Sequence, residues 1–143
     1  MFVEPGYEAV DSLEGLVVPV LAGADGMGFL ELTQRLADLG ERARGKNLSP
    51  DEVKDGTITL TNFGASGALY GNPIINPPQV AIIGTGAVSP RAVALPGGRL
   101  GVKPTMGLAI TFDHRANDGM AAGRFAASIR AALEGMDLSQ LEY

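Results

Sequence analysis

The sequence contains no cysteine, no tryptophan and a single histidine. The absence of cysteine removes disulfides, thiolate metal sites and cysteine nucleophiles together, and it fits a cytoplasmic setting. One histidine among dispersed carboxylates offers no ligand cluster for zinc or a similar metal. Long apolar runs are also missing. The longest, GLVVPVLA (15–22) and VAIIG (80–84), fall far short of the roughly 20 residues that cross a membrane. The first residues, MFVEPGYEAVD, carry no basic stretch ahead of an apolar core, as a secretory signal would. Positive charge is scarce and scattered. The 11 Lys and Arg stand against 16 Asp and Glu, for a net charge of −5. No stretch gathers the basic footprint that nucleic acid requires.

What is present is a chain of 143 residues, 45% of them hydrophobic. That suits one domain over 1–143 with its own core. Twenty glycines and nine prolines lie between apolar segments and mark tight turns rather than low complexity. The Val-rich run 15–22 reads as a buried strand. Residues 1–14 read as a loop or weak strand. Phe29, Leu32, Leu36, Leu39 and Ala43 recur at helical spacing and predict an amphipathic helix over 29–44. Ser49, Pro50 and Glu52 supply cap, first helical position and capping box for one short turn within 48–56. TITLTN (57–62) alternates and is a strand, residues 64–78 are a loop, and 79–88 form another strand. RAVAL (91–95), PGG and RLGVKP (99–104) make a hairpin, and 105–113 is a further strand. A helical pattern follows from Asp118 to Leu133, with Asn117 as the expected cap. Strands grouped between two helices imply an α+β fold, with helices packed on one face of a mixed or largely antiparallel sheet.

Two stretches carry candidate chemistry. FDHRANDG (112–119) places His114 at a strand–loop–helix junction, where a side chain is held yet can face a cleft. Histidine is the natural general base near neutral pH. Asp118, in the first turn of the next helix, is favoured by the helix dipole and can orient neighbours. TNFGASG (61–67) puts the hydroxyl of Thr61 at a strand end, where it can donate to a developing oxyanion. Taken singly, each pattern is better read as an ordinary histidine and an ordinary strand end. IIGTGAV (82–88) lacks the third glycine and the following helix of a dinucleotide loop. No G-x-S-x-G elbow is present.

The order of GLVVPV, an amphipathic helix, TNFG, INPPQ-AIIGTG and FDHRANDG resembles the C-terminal part of the catalytic domain of dihydrolipoyl acyltransferases. These are the core components of 2-oxo acid dehydrogenase complexes. The resemblance runs from about residue 14 to about 135. It implies a chloramphenicol acetyltransferase-like fold, incomplete at the N-terminus. It also implies His114 as the general base that deprotonates the thiol of coenzyme A or dihydrolipoamide, Asp118 as an orienting or structural residue, and Thr61 as the oxyanion donor where serine is commoner. Coenzyme A and lipoamide enter as substrates, with no metal and no lipoyl-lysine on this chain. The implied partners are further copies in a trimer or larger assembly, a lipoyl domain and the other dehydrogenase components. Thr61 and His114 lie 53 residues apart, and the resemblance implies that they meet across the trimer interface. The alternative is a non-catalytic core or trimerisation module that keeps only the fold.

Overall fold

The computed structural model describes residues 2–3 and 17–137. A four-stranded sheet is ordered β1 (Phe2–Val3), β2 (Thr59–Asn62), β3 (Ala81–Thr85) and β6 (Leu108–Phe112). β1, β2 and β3 run parallel, and β6 closes the sheet antiparallel to β3. Between them a separate antiparallel hairpin pairs β4 (Ser89–Ala94) with β5 (Leu100–Thr105). Among the described residues the α-helices are α1 (Phe29–Arg44) and α2 (Gly119–Glu134), and α2 contacts β6.

The predicted helix over 29–44 matches α1, whose buried positions are Leu39 and Gly40. The Ser49 capping box forms as expected around a 3-10 turn, Pro50–Val53. Its Glu52 carboxylate accepts from the Ser49 backbone N–H at 2.9 Å and from the Ser49 hydroxyl at 3.0 Å. The same carboxylate takes Arg42 Nη1 of α1 at 2.6 Å, and Arg42 Nε reaches Asp38 at 2.9 Å. One carboxylate therefore closes a local turn and ties it to α1. The Ser49 N–H, the Arg42 guanidinium and the Ser49 hydroxyl together hold Glu52 down to about 2.

The Val-rich run is a correction. Its described part, 17–22, is irregular apart from one bridge residue, Val20, whose N–H donates to the Glu52 carbonyl at 2.6 Å. Pro19 brings no N–H to a ladder, and Val17 is half exposed. Residues 15 and 16 lie outside the described residues, as does most of the loop or weak strand expected over 1–14, of which Phe2–Val3 is a strand.

Glycines let the 63–87 region fold tightly onto the sheet. The Leu69 carbonyl sits against both Gly86 and Gly107, where a β-carbon would collide with it. Those two glycines are themselves joined by the Gly86 N–H to Gly107 carbonyl bond at 2.9 Å. The Phe63 ring lies over Gly84 and Gly71 in the same way. The buried large apolar side chains among the described residues are Leu21, Leu39 and Ile82.

Candidate active site

The sequence FDHRAND builds a tight turn between β6 and α2. Asp113 continues the ladder one position past β6, its N–H donating to the Val80 carbonyl at 2.8 Å. The chain then reverses. The Asp113 carbonyl accepts from Ala116 N–H at 3.1 Å and from Asn117 N–H at 3.0 Å. His114 stands exposed in this turn, its ring 5.6 Å from that of Phe112 and tilted by 41°. The cap of α2 is Asp118, not Asn117. Asp118 has extended backbone angles, and its Oδ1 accepts from Ala121 N–H at 2.6 Å. Asn117 stands one residue earlier, inside the turn, where its N–H donates to the Asp113 carbonyl. Asp118 is thus one residue ahead of the helical first turn, with its charge at the positive end of the helix dipole.

A pair that sequence reasoning missed encloses His114. The Asp113 carboxylate accepts from Arg115 backbone N–H at 2.9 Å, from Nε at 3.0 and 3.1 Å, and from Nη2 at 2.6 Å. This side-on fork and the backbone N–H hold the Asp113 carboxyl down to about 2. The only signal in the sequence is the D-x-R spacing, which many solvated surface pairs share.

Thr61 is buried in the middle of the sheet, with 7% of its surface exposed. Its neighbour Asn62 caps the 3-10 turn Phe63–Ser66 by accepting from Gly64 N–H at 2.9 Å. The Thr85 hydroxyl lies 3.4 Å from Asn62 Oδ1 and 3.5 Å from the Thr61 carbonyl. The hydroxyl-bearing strand end is therefore fixed by the turn that follows it.

One chain brings His114 and Asp118 into a single turn but does not bring Thr61 to them. Thr61 pairs with Gly84, and Gly84 with Ala109. Asp113, next to His114 and the last ladder position, lies four positions beyond Ala109, about 13 Å along the strand direction, and two strand spacings of about 4.8 Å lie between. The faces differ as well. Register places Thr61 with Gly84 and Ala109, whereas Phe112, on which His114 leans, shares the opposite face with Ala81 and Ile83. An open groove of about 990 Å³ lies elsewhere, between 20–25 and 51–58, and includes none of the three candidates. Among the described residues, no group of three or more His, Cys, Asp or Glu converges as a metal site would.

Comparison with known proteins gives this geometry a setting. The family described as 2-oxoacid dehydrogenases acyltransferase (catalytic domain) matches residues 8–141. The human dihydrolipoyllysine-residue succinyltransferase component of the mitochondrial 2-oxoglutarate dehydrogenase complex is 44% identical over 126 residues, covering 88% of this chain and 28% of its own. The dihydrolipoyllysine-residue acetyltransferase component of the Mycobacterium bovis pyruvate dehydrogenase complex is 45% identical over 130 residues, covering 88% and 24%. A probable dihydrolipoamide acetyltransferase from Listeria monocytogenes superposes with a TM-score of 0.87 at 28% identity, over 99% of this chain and 58% of that one. A dihydrolipoamide acetyltransferase from Azotobacter vinelandii superposes with a TM-score of 0.82 at 32% identity, over 88% and 51%. The catalytic mechanism of that enzyme has been probed at a serine, a histidine and an asparagine. The chain thus spans about a quarter of the curated relatives' length and about half of these solved structures. With the family match extending over nearly its whole length, the chain belongs to the 2-oxoacid dehydrogenase acyltransferases, within their catalytic domain.

Proposed function

We propose that this chain supplies both catalytic elements of a dihydrolipoyl acyltransferase, and that they act in different copies. His114 takes the proton from the thiol of coenzyme A or dihydrolipoamide. The thiolate attacks the thioester carbonyl of the acyl donor, and the oxygen, now anionic, accepts a hydrogen bond from the Thr61 hydroxyl of a neighbouring copy. Collapse of the tetrahedral adduct expels the second thiol as its thiolate, which recovers the proton from the imidazolium. Asp118 acts structurally, by starting α2 immediately after the turn. Thioester exchange of this kind needs one base, one oxyanion donor and a shared approach for two thiols.

The observation that carries the reading is the separation of Thr61 from His114 within one chain, by distance and by sheet face. A site containing both must take them from two chains. Support comes from the Azotobacter vinelandii enzyme, where the asparagine under study follows the histidine by four positions, the spacing of Asp118 from His114. One structural relative forms the cubic core of a pyruvate dehydrogenase complex, which favours self-assembly, with a lipoyl domain and the other dehydrogenase components as partners. A cytoplasmic location belongs to the same proposal, and fractionation tests it, since the human relative is mitochondrial. The second reading is a non-catalytic core that keeps only the fold, and the 7% exposure of Thr61 in the single chain favours it.

Mixing variants decides between them. His114→Ala alone should lose on the order of 10²- to 10⁴-fold in acyl transfer between dihydrolipoamide and acyl-coenzyme A. Thr61→Val should lose about 10²- to 10³-fold. Refolding the two inactive variants together should restore a substantial fraction of activity, because some interfaces then pair an intact His114 with an intact Thr61. Wild-type rates in the His114→Ala protein reject the mechanism. Losses in both variants without recovery on mixing reject the shared site.

A further inference from the structure

We infer that Asp113 and Arg115 form a clamp that fixes the turn bearing His114, which makes them positioning residues for the proton transfer and not ligands of the substrate. The inference rests on the acyl-transfer reading and deepens it.

The geometry around Asp113 is unusual for an exposed loop. Its backbone N–H is tied to Val80 ahead of β3, its carbonyl closes the turn on Ala116 and Asn117, and its carboxylate holds Arg115 by backbone and guanidinium together. His114 is the residue between the two halves of this pair. On its far side, the Asp118 cap fixes where α2 begins. The backbone entering and leaving His114 is thus anchored at both ends, so the direction of its Cα–Cβ bond is set before any rotamer is chosen.

Fold stability does not account for the pair. The Arg115 side chain is 91% exposed and that of Asp113 is 22% exposed, so one partner keeps most of its contact with water and the pair's contribution to global stability is modest. What it does add is local order at low entropic cost, since only one residue separates the partners. Local order is what a base requires, because small displacements of a catalytic group cost large factors in rate. The carboxyl pKa of about 2 keeps the pair charged throughout the neutral range.

Arg115 invites another reading, as an exposed cation beside the base that grips an anionic substrate such as coenzyme A. In the structure one edge of the guanidinium, Nε and Nη2, is spent on Asp113, which fixes its orientation beside His114 and leaves Nη1 on the outer edge. The two readings differ in what they move. A clamp acts on kcat, and a substrate ligand acts on KM.

Because His114 is the chain's only histidine, its imidazole signal in an NMR spectrum needs no assignment. The test compares wild type with Arg115→Ala, Arg115→Lys and Asp113→Asn. Measured are kcat, KM for coenzyme A and the His114 ring resonances. The clamp predicts a tenfold or larger fall in kcat for Arg115→Ala, with KM for coenzyme A within twofold. It also predicts ring resonances shifted toward those of free histidine. Lysine should rescue only partly, since an ammonium cannot fork onto a carboxylate. A tenfold rise in KM with kcat unchanged makes Arg115 a substrate ligand and overturns the inference. Unchanged ring resonances in both Arg115→Ala and Asp113→Asn overturn it as well. Arg115→Ala leaves the backbone bonds of Asp113 in place, so it carries the test should Asp113→Asn fail to fold. Full activity in a His114→Ala control would defeat the acyl-transfer reading, while the ring resonances still decide the clamp.

Discussion

A methyl group at Gly86 would strike the Leu69 carbonyl, a backbone atom that cannot swing aside. The same group at Gly123, inside α2, meets nothing within 4 Å. Two glycine-to-alanine substitutions should therefore move stability in opposite directions. Gly86→Ala should cost at least about 1–3 kcal/mol, as overpacking does. Gly123→Ala should gain about 0.5–1 kcal/mol from helix propensity and a less flexible unfolded chain. Urea melts of the two variants check this, and a stabilised Gly86→Ala would contradict the packing of the 63–87 segment. At this scale residue type and motif order singled out His114, Asp118 and Thr61 as candidates. The sequence hid the Asp113–Arg115 fork, because an acid and a base two apart are common on surfaces and their spacing carries no geometry. It also misplaced the cap of α2. Asn117 and Asp118 are equally good capping types, and the sequence does not show that the turn runs through Asn117, so that α2 starts one residue later.

Among the elements, the 3-10 turn Pro50–Val53 depends on one ionised side chain. Glu52 is held at about 2 in the fold against 4.5 ordinarily. A carboxyl whose pKa is depressed by folding contributes stability above its unfolded pKa, and that contribution is lost as pH falls toward the folded value. The melting temperature of wild type should thus exceed that of Glu52→Gln at pH 7, and the gap should close between about pH 4.5 and pH 2. A constant gap over that range would show that the carboxylate charge is not what binds this turn to α1. Periodicity made α1 legible, since Leu32, Leu36 and Leu39 can serve only one face. Capping chemistry made the 3-10 turn legible, and β-branching did so for β2. The Val-rich run was not legible. An apolar composition gives burial but not pairing, and Pro19 brings no N–H to a ladder.

For the whole molecule, the telling feature is how much apolar surface stays open. Leu100 and Val102 are 82% and 72% exposed on the hairpin. Register puts them on one face with Pro90, Ala92, Ala94 and Pro104, while Arg91 stands opposite Lys103 on the other. A lone two-stranded hairpin is marginal in water, so an apolar face of this kind calls for cover. If the proposed self-assembly uses this face, replacing both Leu100 and Val102 by serine should lower the native mass toward that of the single chain, 14.8 kDa. An unchanged mass would mean that self-association does not use this face. The sequence located the hairpin but not its exposure, because exposure depends on what the rest of the fold leaves uncovered. If Thr61 in the sheet and His114 in the turn beyond β6 act in different copies, as proposed above, their placement also governs how reactive centres are counted. A centre that draws its base from one copy and its hydroxyl from the next joins copies head to tail. Two chains joined once in this way hold a single complete centre and leave one base and one hydroxyl idle. A ring that closes holds as many centres as chains. Output per chain therefore climbs with closure, and the last subunit to enter a ring completes two centres at once.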